Sequence, residues 1–293
     1  MDGIKTYWLG NPIIERDGVV VHLETRKAVA LLAYLSNAGS SPFARENIAA
    51  LFWPEYDEQH ANANLRRTLY AIHRVLGPDF ITGNREKLIL HPSGAFWQDT
   101  TAFRQLLADV KAHHQEHTVC TESINNLEKA CALYRGSFLE GLNLRDAPDF
   151  DHWQYNLRES FLQDLALSLE KLALAYVSLG DWENAIQRAH NWVSLDSLNQ
   201  KARRTLITCY AQAEQRSAAI QQMEAYARVL QDELGLSLDA EMKELYQEIR
   251  AGKNTMPARI HPAPSVETGK QPLIKTKFFI PRLRKDYVPR PHL

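Results

Sequence analysis

The sequence predicts a mainly α protein in two unlike parts, a small α+β front and an all-α remainder. Three observations carry that expectation. Short β-branched and aromatic runs, broken by turn signals, occupy residues 4–23 and 80–90, with three helix-like segments between them. Beyond residue 97 the apolar pattern is helical almost throughout. Part of that helical stretch repeats itself with a period of 34 residues. The length of 293 residues suits about two domains, and the expected division is 1–97, 98–251 and a linker and tail at 252–293.

Ile4–Leu9 and Val19–Leu23 read as strands, separated by the turn signals Gly10-Asn11-Pro12 and Asp17-Gly18. Thr25 is an N-cap residue type standing before Arg26–Leu35, whose Val29, Leu31, Leu32 and Leu35 suit a buried helix. Ser40-Ser41-Pro42 is a loop. Arg45–Phe52 forms a second helix, stopped at Trp53-Pro54 because proline cannot continue it. Glu55–His60 reads as a connection to the third helix, Ala61–Gly77. The runs Phe80–Thr82 and Leu88–Leu90 then bracket a polar tip, Gly83–Lys87, which makes a β-hairpin with Arg85 and Lys87 at its turn.

The third helix is the informative one. Leu65, Leu69, Ile72 and Leu76 form a single apolar stripe. The other face carries Asn62, Asn64, Arg66, Arg67, Tyr70, His73 and Arg74, all able to hydrogen-bond phosphates or base edges, and no acid. One side for a core and an Arg/Asn-rich outer side is what a major-groove reader needs. The arginines have a blander alternative, which is solvation or pairing with Glu55, Asp57 or Glu58 in the preceding connection. Strands, three helices and a closing hairpin with a basic tip are the plan of a winged helix-turn-helix.

In the rear part Leu172, Tyr176 and Ala185 recur as Leu206, Tyr210 and Ala219, each 34 residues on. Gly180-Asp181-Trp182 supplies a turn in the first copy and Glu214-Gln215-Arg216 replaces it in the second. A 34-residue helix–turn–helix period, with an alanine where helices must approach closely, is the tetratricopeptide pattern. The all-α part is therefore expected to be a tetratricopeptide-like helical repeat domain.

These segments also resemble known families. The runs LETRKAVALLAYL, RENIAALFWP and ANANLRRTLYAIHRVLG resemble the OmpR-type winged helix at the front of SARP/AfsR-like regulators. In that family the third helix enters the major groove and the wing touches the neighbouring minor groove or backbone. The resemblance implies Asn64, Arg66, Arg67, Tyr70 and Arg74 on the recognition helix, Thr25 and Lys27 near phosphate, and Arg85 and Lys87 on the wing. Ala44 stands where the family usually places a Ser or Thr cap for the second helix. Ala132–Leu139, Phe150–Trp153 and Asp232–Leu236 resemble markers of the bacterial transcriptional activator domain, a helical repeat implied to mediate dimerisation and partner contact. Thr276–Leu293 resembles the lead-in to the ATPase of MalT/LuxR-type regulators.

Composition narrows the function classes. No apolar run reaches the roughly 18 residues of a membrane span and the N-terminus lacks a signal peptide's pattern, so a cytoplasmic location is expected. Cys120, Cys131 and Cys209 are an odd, scattered set that fits reduced thiols. Residues 1–97 hold ten basic and ten acidic side chains, 98–251 fifteen and twenty-three, and 252–293 nine and two, leaving charges of 0, −8 and +7. An acidic middle is unsuited to DNA, so binding must rest on a few residues of the front. GxxxxGK[ST], GxSxG, HExxH and GxGxxG are all absent, and no catalytic group, cofactor or enzymatic activity is expected. His113, His114, His117 and Cys120 are possible zinc ligands. Their polar, loop-like surroundings and the lack of a second Cys/His pair favour a solvated stretch, and no metal is assigned. The expected function is a transcriptional regulator that binds double-stranded DNA as a homodimer, with RNA polymerase or another protein as a partner of the repeats. The rivals are an interaction scaffold of tetratricopeptide type, or the regulatory front of a signal-transducing ATPase.

Overall fold

A computed structural model describes residues 3–39, 42–90, 96–113 and 120–252. The loop serines Ser40 and Ser41, the histidines His114 and His117, and the expected linker and tail from residue 253 lie outside them. The front opens with three antiparallel strands, β1 (Ile4–Tyr7), β2 (Ile13–Arg16) and β3 (Val19–Val21). The sequence reading named the outer two and not β2, although both of its turn signals flank that strand. Helix α1 (Arg26–Asn37) follows, and the Thr25 hydroxyl accepts from Ala28 N at 3.1 Å, as expected of its cap. The short strand β4 (Phe43–Ala44) leads into α2 (Arg45–Phe52), which ends at Trp53. Ala44 provides no side-chain cap for α2.

Helix α3 spans Glu58–Leu76, three residues longer at its start than the sequence reading placed it. The apolar stripe begins only at Ala61, but Asp57 caps the helix by accepting from His60 N at 2.9 Å. The wing is β5 (Ile81–Gly83) and β6 (Lys87–Leu90), with β4 completing a three-stranded sheet in the order β4-β6-β5. A further strand, β7 (Phe96–Gln98), joins the first sheet parallel to β1, pairing Ile4 with Phe96 and Thr6 with Gln98. The sequence pattern did not reveal it.

The rear is helical: α4 (Asp99–His113), α5 (Thr121–Leu133), α6 (Pro148–Leu179), α7 (Trp182–Leu195), α8 (Gln200–Gln212), α9 (Arg216–Leu234) and α10 (Ala240–Ala251). Helices α6 to α9 stack in chain order, and α10 packs on α9. The 34-residue period is kept down to single backbone bonds. Asp181 N donates to Tyr176 O at 3.0 Å, and Gln215 N to Tyr210 O at 2.9 Å. Gly180 and its counterpart Glu214 both adopt the left-handed conformation, at φ 72° and 61°. Leu172, Leu206, Ala185 and Ala219 are fully buried. None of the three cysteines forms a disulfide, and burial pushes the Cys131 and Cys209 thiols up to about 12. No helix among the described residues is long and apolar enough to cross a membrane.

The front shares a core with the first part of the rear, while the helices from α6 onward carry apolar clusters of their own. A continuous apolar cluster runs from Trp8 through the three front helices to Phe138, Phe150 and Phe161. At its centre the Tyr34 ring lies 4.8 Å from that of Trp153, and the Phe52 ring 5.2 Å from that of Phe150. Asp99, fully buried where β7 becomes α4, accepts from the N–H groups of Trp8 at 2.8 Å, Leu9 at 2.9 Å and Thr100 at 2.8 Å. Burial raises its carboxyl above the ordinary range, outweighing those three donors and Arg135 at 3.8 Å. The segment after α5 closes the junction: Leu139 N donates to Trp8 O, and Gly10 N to Ser137 O.

Candidate nucleic-acid interface

Helix α3 buries Leu65, Leu69, Ile72 and Leu76 against the front core and stands as a ridge on its other side. Arg66, Arg67, Tyr70 and Arg74 are exposed, Tyr70 by 67%, while Asn62 and Asn64 are half-buried along the flanks. None of Glu55, Asp57 and Glu58 pairs with Arg66 or Arg67. Asp57 is taken by His60, at 2.7 Å from the ring Nδ1. Arg66 Nε donates to its own helix at Asn62 O, 3.4 Å away. Arg74 does have an acid, Glu24 Oε1 at 3.3 Å, with both side chains largely exposed.

Two clefts flank this ridge. On the wing side a cleft of about 580 Å³ is lined by Arg45, Asn62, Arg66, Tyr70, Asn84 and Arg85, together with Glu46 and Glu58. Burial, and next the neighbouring Arg66 guanidinium, push the pKa of Arg45 below its ordinary value. Two cations held this close favour an anion between them. The wing tip is ordered by Asn84, whose Oδ1 accepts from Glu86 N and Lys87 N, both at 2.8 Å. Gly83 permits that tight turn, because a Cβ there would stand 2.2 Å from Lys87 O. Arg85 and Lys87 are exposed beside it.

On the other flank a cleft of about 410 Å³ has Thr25, Arg26, Lys27, Asn64 and Arg67 on one wall and Asn143–Asp146 of the rear on the other. Thr25 is exposed there. Lys27 is engaged: its Nζ donates to Phe52 O at 2.7 Å, lies 2.6 Å from Asp146 Oδ2, and sits over the Trp53 ring. The sequence-predicted residues thus gather around α3, with Lys27 as a tie between front and rear. Sequence reasoning missed Arg26, Arg45, Asn84 and Arg145. Arg26 and Arg45 are the first residues of their helices, which was legible. Nothing local marked Asn84 or Arg145 as facing α3. Of the possible zinc ligands, His114 and His117 lie outside the described residues, His113 ends α4, and Cys120 caps α5 through Sγ, 3.4 Å from Ser123 N. The described residues contain no group of three or more potential metal ligands.

The chain is thus a winged helix followed by a stack of helical hairpins, with cations gathered about the third helix. Residues 98–250, more than half of the chain, match the family model described as bacterial transcriptional activator domain, and the chain belongs to that family of transcriptional regulators. Comparison with curated proteins gives no significant match. Among solved structures the chain is similar to Mycobacterium tuberculosis EmbR in complex with a low affinity phosphopeptide, at 18% identity and a TM-score of 0.62, over 87% of this chain and 69% of that one. At that identity the likeness is one of fold, a winged helix followed by a helical repeat domain.

Proposed function

We propose that this regulator binds double-stranded DNA, and that its front is an OmpR-type winged helix of the SARP/AfsR-like kind that reads the major groove with α3. The observation that carries the reading is the outward ridge of α3. From Ala61 to its end it displays Asn, Arg and Tyr side chains and no acid, with the basic-tipped wing beside it. A guanidinium can bond guanine O6 and N7 together, and a carboxamide can bond adenine N6 and N7. Arg66, Arg67, Asn62 and Asn64 are therefore the base readers in this proposal. Tyr70 and Arg74 extend the contact along the helix. Thr25, Arg85 and Lys87 position the domain on phosphates, which carry no sequence information, while Lys27 stays tied to Asp146. Membership of an activator-domain family supports the reading. A single winged helix buries little surface, so the proposal includes a homodimer whose repeats set the half-site spacing and meet RNA polymerase.

The test is fluorescence anisotropy of the full chain on duplexes selected from a random pool, compared with the Arg66→Ala, Arg67→Ala double variant. Two lost base or phosphate contacts should weaken binding by about 30-fold or more and flatten the salt dependence. Unchanged affinity with an unchanged salt slope would remove α3 as the reader.

A further inference from the structure

We propose that the activator domain itself completes the DNA-binding surface, with Arg145 contacting the sugar-phosphate backbone on the flank of α3 opposite the wing. The inference rests on the DNA-binding reading above and adds to it a contact from the rear half of the chain.

The argument begins with size. A major groove is about 12 Å wide and a helix with its side chains about 10–12 Å across, so a helix in the groove has a phosphate backbone on each side. One flank of α3 faces the wing and Arg45. The other faces the cleft whose far wall is Asn143–Asp146. A backbone strand passing that flank must run along this wall.

The wall is built to stay in place. The buried Gln154 amide donates to Leu139 O at 3.2 Å and Leu142 O at 3.0 Å. Leu142, Leu144 and Ala147 are buried. Leu144 N donates to Asp151 at 3.3 Å, and Lys27 holds Asp146 from the front. Between those anchors the Asn143 and Arg145 side chains are exposed.

Charge points the same way. Asp146 is the one acid among the residues lining this cleft, and Lys27 neutralises it. Arg26, Arg67 and Arg145 form no ion pair among the described residues, so an excess of cation faces the open space beside Asn64. A phosphodiester strand carries repeated single negative charges and acceptor oxygens, and it matches cations spread along a wall. A contact of this kind is blind to sequence and strengthens every duplex alike.

The experiment uses the full chain with two duplexes, one selected by the wild type from a random pool and one scrambled, across a salt series. Arg145→Ala should weaken both duplexes by the same factor, about three- to tenfold, and make the salt slope shallower by about one. Arg145→Lys should restore most of the binding. Asn143→Asp, a second exposed change on the same wall, should weaken both duplexes while leaving the circular dichroism and melting of the chain unchanged. If Arg145→Ala and Asn143→Asp leave affinity and slope unaltered while the α3 double variant abolishes selectivity, the wall does not meet DNA and the proposal fails alone. Loss of RNA polymerase capture with intact DNA binding would overturn it too, in favour of a protein contact. A wild-type chain that retains no duplex would end both readings.

Discussion

Three cations of the helical repeats meet acids, while Lys171, Arg203, Arg228 and Lys243 form no ion pair among the described residues. Arg188 lies 2.9 Å from Glu128, Lys201 pairs with Glu170, and Arg204 lies 2.5 Å from Glu241. Around α3 what differs is that unpaired cations gather on one helix and its two flanking clefts. Arg26, Arg66, Arg67 and Arg85 have no acid partner among the described residues, although the front as a whole carries as many acids as bases. Several of those acids are engaged elsewhere: Glu15 accepts from the Tyr7 hydroxyl, Asp17 pairs with Arg16, and Asp57 caps α3. Segment net charge therefore hides what matters for an anionic partner, which is the local balance on one face. Of the remaining front acids, Glu46 and Glu58 line the wing-side cleft beside Arg45 and Arg66, so the flank opposite the wing carries the larger cation excess.

The sharpest way to break the contrast between front and rear is to cut what joins them. Asp99→Ala would leave the buried N–H groups of Trp8 and Leu9 without an acceptor, and Phe150→Ala would open a hole against Phe52 and Trp153. Each should cost about 3–5 kcal/mol. Because the front's core continues into α6, on which the repeats stack, urea unfolding followed by tryptophan fluorescence and by far-ultraviolet dichroism should shift together. Separate transitions for the two probes would show front and rear to be independent.

The next largest effect tests the charge contrast directly. Arg204→Ala removes an exposed pair in the rear, so it should change stability by less than about 1 kcal/mol and leave duplex affinity as it was. The α3 arginines should behave in the opposite way, with large losses of affinity and little change in melting temperature. Equal losses of affinity from both regions would mean that binding follows overall charge and not the α3 face.

The parts of this architecture written in short-range pattern were legible in the sequence. The Thr25 cap, the apolar stripe of α3, the basic hairpin tip and the 34-residue repeat each depend on residues within a turn or one repeat of one another. The start of α3 was misplaced because the reading followed the apolar stripe and passed over Asp57, a cap residue type in plain view. Strand β7, the Asp99 junction, the Lys27–Asp146 tie and the facing position of Arg145 join segments far apart in the chain, and no local periodicity encodes such pairings. Arg45 falls between these cases: its place at the head of α2 was readable, but its proximity to Arg66 depends on how α2 packs on α3.

Within the rear, the two repeats offer a paired test of about 1 kcal/mol. Gly180 suits its left-handed backbone, whereas Glu214 holds the equivalent conformation with a Cβ. Gly180→Ala should lower stability by about 1 kcal/mol and Glu214→Gly should raise it by somewhat less, both read from urea midpoints. Shifts of the same sign at both sites would show that the two turns are not equivalent despite their shared period.

The smallest expected effect lies at the tie between the halves. The hydrogen bond from Lys27 holds the Asp146 carboxyl below its ordinary range. A depressed folded-state pKa means that the pair stabilises the chain above the unfolded carboxylate pKa, and that this stability is lost as pH falls through the folded value. Asp146 is about half exposed, so screening keeps the contribution below about 1 kcal/mol. Melting temperatures of the wild type and Asp146→Asn should therefore differ slightly at neutral pH and converge in acid. The same substitution removes the one acid lining the cleft beside Arg67 and Arg145 and frees Lys27 for phosphate. Duplex affinity should then rise while stability falls. A fall in both would mean that Lys27 must be held by Asp146 for the cleft to keep its shape.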